Sequence, residues 1–113
     1  MTGDPTPVLL LVTAGTRDEA ERLGEGLVEA RLAACGSVIP MVHSFFRWQD
    51  RIQREHEAIL LVKTVSSLVA EAEAYIKEHH SYELPEILRI DIAGGYGPYL
   101  AWVLGETAGS GNS

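Results

Sequence analysis

Two long strand-like segments joined by a tight turn limit what this chain can fold into more than any other feature. Ser37 to Trp48 and Ile52 to Thr64 are rich in β-branched and aromatic residues, and the second is wholly apolar from Ala58 to Val62. Gln49-Asp50 between them reads as a two-residue turn, since aspartate tolerates the left-handed region better than most residues. About twelve residues per strand reach roughly 40 Å, whereas the usual strand has about 5–6 residues. A chain of 113 residues makes one domain with a core of modest size. Such a core leaves the outer half of the hairpin, with Phe45, Phe46, Trp48 and Ile52, uncovered beside unpaired strand edges. Packing between subunits is the expected remedy.

The remaining elements follow from periodicity. Val8 to Val12 is a short apolar run suited to a central strand. Thr16 and Glu19 match a capping box that opens a helix from about Arg17 to Arg31, with Ala20, Leu23, Leu27 and Ala30 at helical spacing. Ser66 or Ser67 is placed to cap a second helix carrying Leu68, Ala72, Tyr75 and Ile76 and ending near His79. Ser81 to Pro85 reads as a loop, Glu86 to Ile92 as a strand, Gly94-Gly95 as a break, and Pro98 as the start of a short helix over Tyr99 to Leu104. The order β-α-β-β-α-β plus a terminal helix predicts an α+β, ferredoxin-like fold with a long β2–β3 hairpin. Residues 7–107 are expected to form the single domain, with 1–6 and 108–113 as flexible ends rich in Gly, Pro or Ser.

Composition narrows the function. A net charge of −7 and scattered basic residues argue against a nucleic-acid partner, because phosphate binding relies on clustered Lys and Arg. The apolar run near the N-terminus is too short for a signal peptide or a membrane span. The single cysteine, Cys35, has no partner for an internal disulfide, which fits a reducing compartment, so the expected location is the cytoplasm.

Several separated strings resemble the CutA family of divalent-cation tolerance proteins. They are Thr13-Ala14, RLAACGSVIP from Arg31 to Pro40, Trp48, Glu57, LLVKT from Leu60 to Thr64, HHSYELPEI from His79 to Ile87, and YLAW from Tyr99 to Trp102. The resemblance runs from about Val8 to Glu106. It implies a ferredoxin-like protomer in a compact homotrimer, a link to copper and other divalent cations, and no established enzymatic reaction. Two positions depart from the family pattern: Val12 stands where some members carry a metal-binding cysteine, and Ser81 stands where a proline usually follows the histidines. A loop without that proline is expected to be less rigidly set.

Candidate chemistry gathers in two places. His79 and His80 end a helix and lead into a loop with Glu83 and Glu86, donors suited to copper or zinc. Adjacent helical residues point about 100° apart, so both bind one ion only if the helix frays; the other reading is two solvated histidines near a negative helix end. Glu57 and Lys63 share a strand face by the period of two. With Tyr82, Glu86 and Trp48 they suggest a polar pocket between subunits for a small anion or effector, or else a structural ion pair at the interface. Cys35 follows an apolar stretch without a nucleophile–base motif, and packing suits it best. No catalytic pair, phosphate loop or closed metal motif stands out. The expectation is a binding protein for a divalent metal, and the alternative is a regulatory module holding a small effector or partner protein in clefts between subunits. Counting outward from the turn also sets His43 opposite His56 on one face of the hairpin, in the closer, non-hydrogen-bonded class, where two imidazoles can share a metal ion.

Overall fold

The structure, a computed structural model, describes residues 4–108. Strand β1 (Pro7–Ala14) is followed by α1 (Arg17–Glu29), β2 (Cys35–Trp48), β3 (Arg51–Val65), a 3-10 turn (Ser66–Leu68), α2 (Val69–His79), β4 (Ile87–Asp91) and α3 (Gly97–Thr107). The four strands form one antiparallel sheet in the order β2-β3-β1-β4. The α+β, ferredoxin-like arrangement expected from the element order is therefore the observed one, with α3 running longer than Tyr99–Leu104.

Alternation along the central strands builds the core. Val8, Leu10, Val12 and Ala14 of β1 and Ala58, Leu60 and Val62 of β3 are buried beneath Ala20, Leu23 and Leu27 of α1 and Ala72 and Ile76 of α2. Helix α1 approaches the sheet closely because it has no side chain at Gly24, where a Cβ would lie 3.0 Å from Leu60 Cδ1. A second cluster joins Ala34, Val65 and Leu68 to Val103 of α3, which closes one end of the sheet.

The opposite sheet face has the same apolar character and much less cover. Cross-strand neighbours share a face, and the partners Leu9–Ile90, Leu11–Leu88, Leu11–Leu61 and Ile39–Ile59 all lie there. Leu88 is 50% exposed, Ile90 42% and Ile39 41%.

The hairpin extends beyond the helices and gives the molecule a long dimension of 44 Å. Its turn is Gln49-Asp50, with φ of 52° and 63°, both left-handed. From Trp48–Arg51 the register runs unbroken down to Val42–Glu57 and includes His43–His56. It then shifts, since Ile39 pairs with Ile59 while Val42 pairs with Glu57. Pro40 and Met41 thus stand opposite Ala58 alone, a one-residue bulge at the place where proline cannot donate to the ladder. Phe45 and Ile52 on the outer half are 64% and 61% exposed.

Two expectations change at the chain's N-terminal side. No seryl side chain caps α2, whose N-cap is Leu68. Ser66 Oγ instead accepts the Thr6 N–H (2.9 Å), and the Ser66 N–H donates to the Thr6 carbonyl (2.7 Å). Of the ends expected to be flexible, Thr6 is therefore pinned to the start of α2, and residues 1–3 and 109–113 lie outside the described residues.

Both turn residues carry a Cβ in a conformation that costs roughly 1–2 kcal/mol for an L-residue and little for glycine. Asp50→Gly should therefore stabilise the folded protein by about 1 kcal/mol in urea unfolding. A loss of stability would mean that the aspartate side chain contributes something beyond the turn geometry.

Candidate functional site

The site is built on a buried carboxylate at the start of α1. Thr16 caps the helix by accepting the Glu19 N–H at 3.1 Å, as the capping box requires. The reciprocal half of the box is diverted. Instead of returning to Thr16, the Glu19 carboxylate accepts the Gly15 N–H (3.2 Å), the Ser81 N–H (2.7 Å) and the Ser81 hydroxyl (2.9 Å). Glu19 is only 5% exposed. Burial alone raises its carboxyl, but the bonds from the Ser81 N–H and hydroxyl and the Gly15 N–H outweigh it and hold the group below the ordinary carboxylate range.

His80 completes this knot. Its Nε2 lies 2.7 Å from the Thr13 carbonyl, which only accepts, so Nε2 carries the proton. Its Nδ1 accepts the Tyr82 N–H at 3.0 Å and lies 3.6 Å from the Glu19 carboxylate, with the side chain fully buried. Ser81 and His80 together thus fix the α2–β4 loop to the ends of β1 and α1. Proline has no N–H to offer Glu19, so serine anchors the loop here; the looser loop expected from its presence is not what the structure shows.

The anchored loop presents Tyr82 to the hairpin. Its hydroxyl donates to Glu57 Oε2 at 2.6 Å, and Glu57 is 8% exposed. Burial pushes the Tyr82 phenol up, aided by the bond to Glu57 and by the charges of Glu57, Glu19 and Glu55. Nearby, the Thr13 hydroxyl donates to Glu86 Oε1 at 3.2 Å. These groups line a cavity of about 890 Å³ at the base of the hairpin, together with Glu55, Glu83, Phe45, Phe46 and Trp48.

The sequence-derived candidates sort as follows. Glu57, Tyr82, Glu86 and Trp48 line this one cavity. Lys63 does not, since its Nζ donates to Ser37 Oγ at 2.5 Å and lies 3.9 Å from Cys35 Sγ. Residues six positions apart on one strand share a face but lie roughly 20 Å from each other. Cys35 is half-buried against the α3 cluster. The set His79, His80 and Glu83 does not converge. The His79 ring stacks on Tyr75 at 4.1 Å with Nδ1 bonded to the Tyr75 carbonyl, in a groove between α1 and α2. His80 points inward with both ring nitrogens committed, and Glu83 lines the hairpin cavity. Among the described residues no three His, Cys, Asp or Glu side chains gather around a point that would hold a metal.

Residues 8–106 match the family described as CutA1 divalent ion tolerance protein. "Protein CutA, chloroplastic" of Arabidopsis thaliana is 30% identical over 100 residues, covering 88% of this chain and 55% of its own length. This chain therefore spans little more than half of that plant relative. "Divalent-cation tolerance protein CutA" of Thermus thermophilus is 35% identical over 99 residues, covering 88% of this chain and 96% of its own. Among solved structures, the periplasmic divalent cation tolerance protein CutA of Archaeoglobus fulgidus superposes with a TM-score of 0.87 at 35% identity, over 89% of this chain and 98% of that one.

Because the Glu19 carboxyl is depressed in the folded protein, its stabilisation is fully present above the unfolded value, about pH 4.3, and is lost as pH falls through the folded value. Glu19→Ala should cost about 1–3 kcal/mol at pH 7, since it removes the acceptor shared by the Gly15 N–H and both donors of Ser81. It should also flatten the acid limb of the stability curve. An unchanged acid limb in urea titrations of the variant would overturn the role given to this carboxylate.

Proposed function

We propose that this chain, which belongs to the CutA1 divalent ion tolerance family, works as a homotrimer that binds a divalent cation of the copper type and catalyses no reaction. The observation that carries the reading is the charge of the hairpin cavity. Glu55, Glu57, Glu83 and Glu86 line it with Arg47 as the only basic residue among its described walls, and Lys63 lies elsewhere. Carboxylates at that density favour a cation over an anion. Donors from one subunit do not close a site, so the remaining ligands come from a neighbour whose hairpin packs across the cavity mouth.

Assembly has its own support. The open sheet face with Leu88, Ile90 and Ile39 and, on the other face of the hairpin, the exposed Phe45 and Ile52 together make an apolar surface that water solvates poorly. Interfaces of the obligate class bury more than about 2,000 Å², and this surface is of a kind to supply it. Among the described residues no helix is long and apolar enough to cross a membrane. A cytoplasmic setting, in which Cys35 stays a free thiol, belongs to the same reading.

A second reading has one specific observation in its favour. The cavity is large enough for a small organic molecule, and Phe45, Phe46 and Trp48 give it an aromatic wall. A regulatory module that holds an effector between subunits would use the same cleft, with Tyr82 and Glu57 as polar anchors.

Sedimentation velocity at micromolar concentration should show a trimer, and a well-folded monomer would sink the assembly. In copper titrations followed by equilibrium dialysis, carried out on a His43→Ala background so that the hairpin cavity alone is read, Glu83→Gln with Glu86→Gln should weaken binding at least about tenfold, near 1.4 kcal/mol. Copper affinity unchanged in that double variant, alongside tight binding of an aromatic acid or amine, would move the case to the effector reading.

A further inference from the structure

His43 and His56 form a second, independent feature of the hairpin. They are direct cross-strand partners on the face opposite Glu57, because neighbouring residues of one strand point to opposite sides. Counting from the two-residue turn puts them in the non-hydrogen-bonded class, where side chains approach most closely. Their ring centroids are 4.6 Å apart and the rings are tilted by 58°, not stacked flat. Both residues are exposed, and neither ring bonds to another described residue. Histidines packed for structure alone in this fold look different: His80 is fully buried with both nitrogens engaged.

We propose that His43 and His56 form a bis-histidine site for an imidazole-seeking divalent cation such as copper(II) or zinc, separate from the hairpin cavity. A metal bound to two imidazoles holds each nitrogen at about 2.0–2.1 Å, so the two nitrogens must approach to roughly 3 Å. Tilted rings whose centroids are 4.6 Å apart reach that by small χ rotations, which exposed side chains make freely. Once the first imidazole is bound, the strand register presents the second at a high effective concentration, which is the advantage of chelation. Arg54 lines the same groove and lies over the Phe45 ring, 5.5 Å from its centroid, in the next cross-strand pair on that face. The remaining coordination positions go to water, since no third His, Cys, Asp or Glu joins the pair among the described residues. Imidazole donors and open positions rank copper(II) above nickel and zinc.

The site goes beyond the cavity reading and stands or falls separately. Copper(II) sulfate titrated into the full chain in a non-chelating buffer should load one equivalent whose electron paramagnetic resonance spectrum shows two coupled nitrogens. His43→Ala and His56→Ala should each abolish the two-nitrogen signature and weaken that equivalent at least tenfold. His79→Ala, and Glu83→Gln with Glu86→Gln, should leave it in place. Affinity and spectrum unchanged in either hairpin variant overturn the proposal, whatever the cavity variants do. A measurement on the unaltered protein guards against misfolded variants: substoichiometric copper should broaden the ring-proton resonances of His43 and His56 together, ahead of those of His79. Broadening that begins at His79 overturns it equally.

Discussion

A single buried carboxylate holds the functional end of the molecule together. Glu19 binds the end of β1 through Gly15 and the α2–β4 loop through both donors of Ser81, and it lies beside the buried His80 ring. Without it three donors would lose their shared acceptor at once, so the group is worth more than any one of its bonds. Everything downstream in the site depends on this. The loop fixed by Ser81 and His80 sets Tyr82, Tyr82 sets Glu57, and Glu57 forms part of the cavity wall. The chemistry that a cation or effector would meet at the hairpin is thus positioned by a residue in the first turn of a helix on the other side of the sheet.

Much of the architecture was legible because its signals are local and repetitive. Alternation in β1 and β3, the helical spacing of Ala20, Leu23 and Leu27, and the turn at Gln49-Asp50 each have a short-range cause, and they agree with one another. The same logic made the His43–His56 register countable from the tip, since the break in pairing lies on the far side of that pair. The hidden parts were those where local patterns had two physical outlets. A glutamate three residues after a capping threonine closes its own box equally well on paper, and nothing nearby announces that Ser81, far along the chain, takes it instead. Similarly, Ser66 had a helix to cap and a strand to hold, and the strand won.

Nearness in sequence does not bring these side chains together. His79 and His80 are adjacent, yet one remains on a helix surface while the other turns into the space beneath β1, drawn by the free Thr13 carbonyl and the Tyr82 N–H. Glu57 and Lys63 share a strand face, yet the strand carries them to opposite ends of the sheet, where Lys63 finds Ser37. A periodicity states which way a residue points; it does not state how far away its partner lies.

The bulge at Pro40 and Met41 has a consequence for how this protein can change. Inside it, odd-numbered β2 residues such as Ile39 share the open face with Ile59; outside it, even-numbered ones such as Val42 and Ser44 share it with Glu57 and Glu55. The outer ribbon is therefore read in a different frame from the inner one. Exposed hairpins are usually places where evolution adds and removes single residues freely. Here deleting one residue of β2 between Phe46 and the turn would move the outer β2 side chains to the other face while β3 keeps its own, turning Phe46 out of the cavity and setting His43 against Glu55. Substitution is open to this hairpin; a change of length between the bulge and the turn is not.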